Sequence, residues 1–256
     1  MKSPQVRPAL PTPDAEQREK IAKRLALASR DRSDTGSVLP STRVALALGV
    51  GEDAGAARLE ALVAALAIER VIVPVEVSKA LVESDAPGEK HGAIDFVRTG
   101  TPAGDALVVY SSKEELAADR PQDRPMAYDC FRVALAALIE TGGRIVVDPG
   151  SAAVVLPRPA VAALAQHDEW LPAWKDSELL EELRGLAGVG RDGIAEVRVV
   201  YAGAGLVRVE VLVDAASGEG PLRTALTAAL GRIGASKRLI AAADRVELAP
   251  RLVRLA

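Results

Sequence analysis

Two adjacent serines are the first residues whose type and spacing suggest chemistry. Ser111 and Ser112 follow the apolar run Val108-Val109-Tyr110, and Ser112 stands three residues before Glu115. A Ser-x-x-Glu spacing just past an apolar run marks a strand that ends and a helix that begins with a capped first turn. The free N–H groups of an exposed helix start can hold an anion, so Ser111 and Ser112 are a candidate anion-binding pair beside their plainer reading as a folding motif. The second candidate is Trp170 with Trp174, the chain's two tryptophans, set four apart around Pro172. Tryptophan is favoured where proteins meet, which makes the pair a candidate partner-binding surface; packing within the chain is the competing reading.

Other chemistries fail on context. Gly188, Gly190 and Gly193 spell G-x-G-x-x-G, but a helical pattern precedes them and a strand pattern follows, the reverse of the order a dinucleotide needs. The triplet reads as a flexible connector. His91 falls in a loop-like run and His167 precedes Asp168 and Glu169, with no His-x-x-x-His spacing, so both read as solvated. Cys130 is the single cysteine: no intrachain disulfide or cysteine-built zinc site can form, and its place beside an apolar stripe reads as a small core residue. No G-x-S-x-G elbow occurs, and the pairs Glu114-Glu115 and Glu181-Glu182 read as solvated helix faces. On this reading no catalytic, cofactor-binding or metal-binding residue is assigned, and no cofactor is expected.

The elements that must position these residues follow from patterning. The 256 residues are 49% apolar and 26% charged, ordinary for a globular protein, but aromatics at 3% leave Ala, Val and Leu to build the core. A net charge of −3 argues against a dedicated nucleic-acid binder. No uncharged stretch approaches the roughly 20 apolar residues of a membrane span, and the first twenty residues lack the apolar centre of a signal peptide, so a soluble cytoplasmic chain is expected.

Residues 1–13 are Pro-rich, and residues 14–30 carry helix formers with Ile21, Leu25 and Ala28 on one side. Eight basic and four acidic residues give residues 1–32 a surplus of +4. Residues 53–69 read as a helix and 70–77 as a strand whose Pro74 demands an edge or a bulge. Residues 93–98 and 105–110 read as strands around a turn at 100–104. A helix is expected over 127–141, with Phe131, Leu135, Leu138 and Ile139 on one face and Gly142-Gly143 ending it. Strands at 145–147 and 153–156 flank the turn Asp148-Pro149-Gly150, and a helix over 159–166 follows. A short amphipathic helix spans 177–187. Strict alternation of Val197, Val199, Tyr201 and of Val207, Val209, Val211, Val213 with polar residues predicts two strands covered on one side only. A helix opened by Pro221 offers Leu222, Leu226, Leu230 and Ile233 to cover them, and residues 245–248 and 252–255 supply one or two closing strands.

The result is an α+β chain: a mixed/antiparallel sheet domain with flanking helices, followed by a smaller ββαβ domain. The expected division is an extension at 1–36, a first domain at 37–168, a connector at 169–193 and a second domain at 194–256.

Several short motifs occur in an order that resembles the SseB N-terminal domain family, in the two-domain bacterial form with an SseB-like C-terminal domain. They are Val71-Ile72-Val73-Pro74-Val75, the charged Glu89-Lys90-His91, the run from Val109 through Ser112 to Leu116, the strand and turn from Ile145 to Gly150, and Leu156-Pro157-Arg158-Pro159. Tyr110-Ser111 replaces the family's more usual Phe-Thr, and the turn after Gly100 lacks the usual short Asp-Gly. The resemblance covers about half the chain and brings no catalytic residue with it. The expected role is a non-enzymatic binding or regulatory module acting through protein contacts or self-association; the alternative is a small-molecule or anion sensor, or an enzyme, with its site at Ser111-Ser112.

Overall fold

The structure is a computed structural model that describes residues 34–75, 96–216 and 219–254. The expected helix at 14–30 and His91 lie outside the described residues. The chain is α+β, with two hydrophobic cores that meet along a shared seam.

The first core begins with a helical hairpin, α1 (Pro40–Ala47) and α2 (Ala56–Leu66). Helix α1 was not expected from the sequence. It has no side-chain N-cap of its own; instead Glu69, across the hairpin, accepts the N–H groups of Ser41 and Thr42, each at 2.8 Å. Four strands then form one sheet in the order β2 (Arg98–Thr101), β3 (Gly104–Val109), β5 (Ile145–Val147), β6 (Val154–Leu156), while β1 (Arg70–Val75) pairs antiparallel with β4 (Arg124–Asp129). A bridge from Ile72 to Tyr110 hangs the β1–β4 pair on the end of β3. Residues two apart in a strand present their N–H groups on the same side. Pro74, two residues beyond Ile72, therefore spends its missing donor on the side away from β4, where it stands opposite Pro125.

Alternation along these strands sorts side chains onto two buried faces. Val71, Val73, Leu107, Val109, Ile145, Val147 and Leu156 face the main core with α1, α2, α4 (Cys130–Glu140) and α5 (Arg158–Gln166). Ile72, Val108 and Tyr110 face the other way, against Leu116 of α3 (Lys113–Asp119). Burial on both faces explains why these strands are apolar runs rather than alternating ones.

Three expectations need correction. Residues 127–129 are the end of β4, not the start of a helix: they pair with Arg70–Ile72, and α4 begins at Cys130. The face of α4 that meets the core is Cys130, Val133, Ala134, Ala136 and Ala137, while Phe131, Leu135, Leu138 and Ile139 are half-buried at its flanks. Alanines let α4 pack closely on Ala160, Val161 and Leu164 of α5, and close approach favours the small side chains over the larger ones. The first hairpin is also tighter than expected, with Gly100 and Thr101 in β2 and only Pro102-Ala103 between the strands.

The second core follows α6 (Ser177–Ala187). Strands β7 (Ile194–Tyr201) and β8 (Leu206–Asp214) are the expected hairpin; α7 (Glu219–Gly234) and the short α8 (Lys237–Ala242) follow, and β9 (Arg245–Val253) is one continuous strand parallel to β8. Val197, Val207, Val209, Val211, Val213, Ala229 and Ile233 are buried together, with α6 contributing Leu179 and Leu183.

Candidate functional site

The parallel pairing of β3 with β5 brings their carboxyl ends side by side, and the two segments that leave them carry most of the clustered polar chemistry. From β3 come Tyr110, Ser111 and Ser112; from β5 come Asp148, Pro149 and Gly150. Asp148 is 2% exposed with φ 50°, a left-handed conformation that Asp tolerates better than most residues. Its N–H bonds Val109 O at 3.0 Å, and its carboxylate accepts the Ser111 N–H at 2.7 Å. Burial pushes the Asp148 carboxyl up, Ser111's hydrogen bonds pull against that, and the charge of Glu115 adds to the rise. The Asp side chain is thus a clasp between two strand ends.

Ser112 is the N-cap of α3, its Oγ accepting the Glu115 N–H at 3.2 Å. The return half of the expected capping box is redirected: the Glu115 carboxylate accepts the Ser151 hydroxyl at 2.6 Å, tying α3 to the turn after β5. Gly150 is required there by close approach, since a Cβ would meet Asp119 Oδ1 at 2.9 Å. Asp119 in turn accepts the Tyr110 hydroxyl at 2.5 Å, and burial first, then this bond, raise the Tyr110 pKa. On the other flank Arg70 donates to Ser111 O at 3.1 Å and grips Asp34 through two bonds of 2.7 and 2.9 Å. Its guanidinium holds the Asp34 carboxyl down at about 2.

The chemistry of this cluster follows from its partners. Ser111 and Ser112 are each 4% exposed; the N–H of one already binds a carboxylate of the chain, and the hydroxyl of the other already caps a helix of seven residues. Around them stand the carboxylates of Asp148, Glu115 and Asp119. Among the described residues no group of three or more His, Cys, Asp or Glu could hold a metal ion. Cys130 is buried and its thiol is pushed up to about 12 by burial, which makes it a poor nucleophile. His167 ends α5 at φ 57° with its ring 4.6 Å from that of Phe131. A shallow depression of about 400 Å³, lined by Gly185, Gly188, Arg191, Ala225, Ala228 and Arg232, lies between α6 and α7. The glycine triplet follows α6 and precedes β7, as its sequence context required.

Residues 43–163 match the SseB protein N-terminal domain. The match runs from α1 into α5, so the Asp148 clasp, the Ser112 cap and the Arg70 grip all fall on the SseB-matched segment or reach into it. No curated protein and no solved structure matches the chain.

The tryptophans lie where the SseB-matched core meets the second one. Their rings make an edge contact at 5.6 Å, and Trp174 stacks obliquely on Tyr201 of β7 at 4.9 Å. Trp174 also donates to Glu60 of α2 at 2.6 Å, and Lys175 pairs with the same carboxylate. Both rings are half-buried against the first core, and Trp174 touches the second as well. Two further contacts close the seam. Arg144 holds Asp244 through bonds of 2.5 and 2.8 Å, and the β7–β8 turn places Gly205 against Val155 and Pro157. Sequence reasoning treated Asp148 only as a turn residue and left out Asp34, Glu69, Arg70, Arg144 and Asp244. Their partners lie from 27 to 100 residues away, so no local signal could have exposed them.

Proposed function

We propose that this chain is a non-enzymatic binding module of SseB type that works through protein contacts, with the SseB-like second domain expected of the two-domain form at its C-terminal end. The observation that carries the reading is the set of exposed large apolar side chains on the SseB-matched segment, three of them within residues 44–50. Val44 on α1 is 67% exposed, Leu48 and Val50 just past its end are 39% and 59% exposed, and Ile68, between α2 and β1, is 81% exposed. Large apolar side chains grouped together mark interaction surfaces more often than singly scattered ones do. The polar cluster at the ends of β3 and β5, by contrast, spends its donors and acceptors internally. An anion at Ser111-Ser112 would have to displace the carboxylate of Asp148 from the Ser111 N–H.

The test is affinity capture from the native host's lysate, followed by titration of the purified pair. The Val44→Asp/Ile68→Asp variant should keep its far-UV circular dichroism and lose at least tenfold in affinity. Full affinity in that variant overturns the reading. A metabolite that raises the melting temperature of the wild type but not of Ser112→Ala, with no protein captured, transfers the function to the Ser111-Ser112 site.

A further inference from the structure

The open edge of the C-terminal sheet is complementary to itself. We infer that β9 pairs antiparallel with β9 of a second copy of this chain, about a two-fold axis at Ala249, so that two three-stranded sheets become one. This edge is remote in sequence from Val44, Leu48, Val50 and Ile68, and the inference does not rest on the function proposed above.

Three observations converge. The first is which edge is open. The sheet order β7-β8-β9 makes β7 and β9 its edge strands. A bulge between Ile194 and Glu196 interrupts β7, a common way of blunting an edge. β9 instead keeps unbroken register with β8 over nine residues, about 30 Å of strand. The Ala215 N–H, just past β8, donates to Val253 O at 2.9 Å, so the backbone groups of Val253 turn toward β8. Residues two apart turn theirs the same way. Arg245, Glu247, Ala249 and Arg251 therefore bond β8, while Val246, Leu248, Pro250 and Leu252 present their backbone groups to the open side. Pro250 thus costs the β8 ladder no bond, which is where an edge strand accepts a proline.

The second is an apolar row left uncovered. Val246, Leu248, Pro250 and Leu252 stand in register beside Val207, Val209, Val211 and Val213, which are buried under α6 and α7. Those four valines are at most 4% exposed, yet Val246 is 39% and Leu252 74% exposed, and Pro250 is exposed as well. The helical layer stops short of the edge strand. In the two-fold pair Val246 stands opposite Leu252 of the second copy, and Leu248 opposite Pro250, so each row flanks the other.

The third is charge, and it selects the occupant. On the other face of β9, Glu247 and Arg251 lie symmetrically about Ala249. An antiparallel pair centred on Ala249 sets each Glu247 directly opposite Arg251 of the other copy. Centring on Leu248 would oppose Arg245 to Arg251, centring on Glu247 or Arg251 would oppose like to like, and centring on Pro250 would oppose no charges. Like charges directly opposite are destabilising, so the sequence favours one register with itself. Glu247 is 46% exposed and accepts Arg208 of β8 at 2.8 Å; Arg251 is 53% exposed and lies 3.5 Å from Glu210. The seam continues these pairs into an alternating row, Arg208–Glu247 of one copy against Arg251–Glu210 of the other.

Each Pro250 forfeits one bond across the seam, and one pair of edge strands is smaller than a standard interface. The dissociation constant is therefore expected on the order of 10 µM.

Sedimentation velocity and native mass spectrometry of the full chain provide the test. Between about 1 and 200 µM the wild type should pass from the 26.7 kDa of one chain to twice that mass. Glu247→Arg and Arg251→Glu should each weaken self-association at least about tenfold, because each opposes like charges at both ends of the seam. An equimolar mixture of the two variants restores opposite charges at both places. It should form a heterodimer, resolved by mass, within about threefold of the wild-type affinity. A folding defect in either chain would not be rescued by mixing. A wild type that keeps the mass of one chain throughout the range overturns the inference. So does a single variant that dimerises as tightly as the wild type, or a mixture that recovers nothing. The two readings fail separately: loss of this dimer leaves partner capture and its dependence on Val44 and Ile68 untouched, and failure of capture leaves the rescue by mixing untouched.

Discussion

Substitutions at Asp148 separate the two roles of its carboxylate. The side chain accepts the buried Ser111 N–H at 2.7 Å and sits on a left-handed backbone with φ 50°. Asn preserves both features, since its amide oxygen accepts the same N–H and Asn adopts that backbone as readily as Asp. Ala preserves neither: an orphaned buried N–H costs about 1–3 kcal/mol, and the left-handed backbone about 1–2 kcal/mol more. Asp148→Ala should therefore lose about 2–5 kcal/mol of stability, adding those two costs. Asp148→Asn should lose less than about 1 kcal/mol at pH 7, or gain, because it also removes a desolvated charge and its repulsion with Glu115.

The pH dependence sharpens the test. Burial, the largest influence, raises the Asp148 carboxyl above its ordinary value despite the hydrogen bonds from Ser111. A raised folded pKa means that the group's contribution is complete below the unfolded pKa and is lost as pH climbs through the folded one. The stability of Asp148→Asn relative to wild type should therefore grow from about pH 4 upward and then level off. Guanidinium unfolding between pH 3.5 and 8, followed by far-UV circular dichroism and by tryptophan fluorescence, measures it. A loss of 2 kcal/mol or more in Asp148→Asn at pH 7, or a relative stability that falls as pH rises, would refute the clasp as described.

The seam and the helix ends carry further predictions. Arg144 and Asp244 are 18% and 7% exposed as side chains, so removing one partner strands a buried charge: Asp244→Ala should cost about 3 kcal/mol, and the double change with Arg144→Ala less than the sum of the singles, read by a double-mutant cycle in urea. Burial works against the Glu69 carboxylate, but the bonds from Thr42 and Ser41 outweigh it and lower its pKa. Its contribution is then complete above the ordinary Glu range and fades as pH falls through the folded value, so Glu69→Gln should cost about 0.5–1 kcal/mol at neutral pH and low salt and nothing in strong acid, read from melting curves across pH. Gly185 in α6 and Gly231 in α7 have nothing within 4 Å of where a Cβ would stand, so Gly→Ala at each should stabilise by about 0.5–1 kcal/mol in chemical unfolding.

Features whose cause lies within a few residues were legible in the sequence. The β7–β8 hairpin was plain because side-chain direction alternates with every residue, whatever the strand packs on. The Ser112 cap and the Gly142-Gly143 stop of α4 were equally plain, since each depends on its own turn of chain. Features decided by a distant partner were not legible. Residues 127–129 carry helix-compatible types, yet they are strand because Arg70–Ile72 offers hydrogen bonds that no local pattern announces. The apolar stripe of α4 was misjudged because α5 selects the small face for close approach, overriding the larger side chains. Glu115 completes its capping box on paper, but Ser151 takes its carboxylate once β5 delivers the turn. The sequence alone determined periodicity, caps and turns, which are set by bonded neighbours. The tertiary structure alone decided the carboxylate clasp, the guanidinium grips and the tryptophan seam, because a charge or a ring is satisfied by whatever the fold brings within about 3 to 6 Å of it.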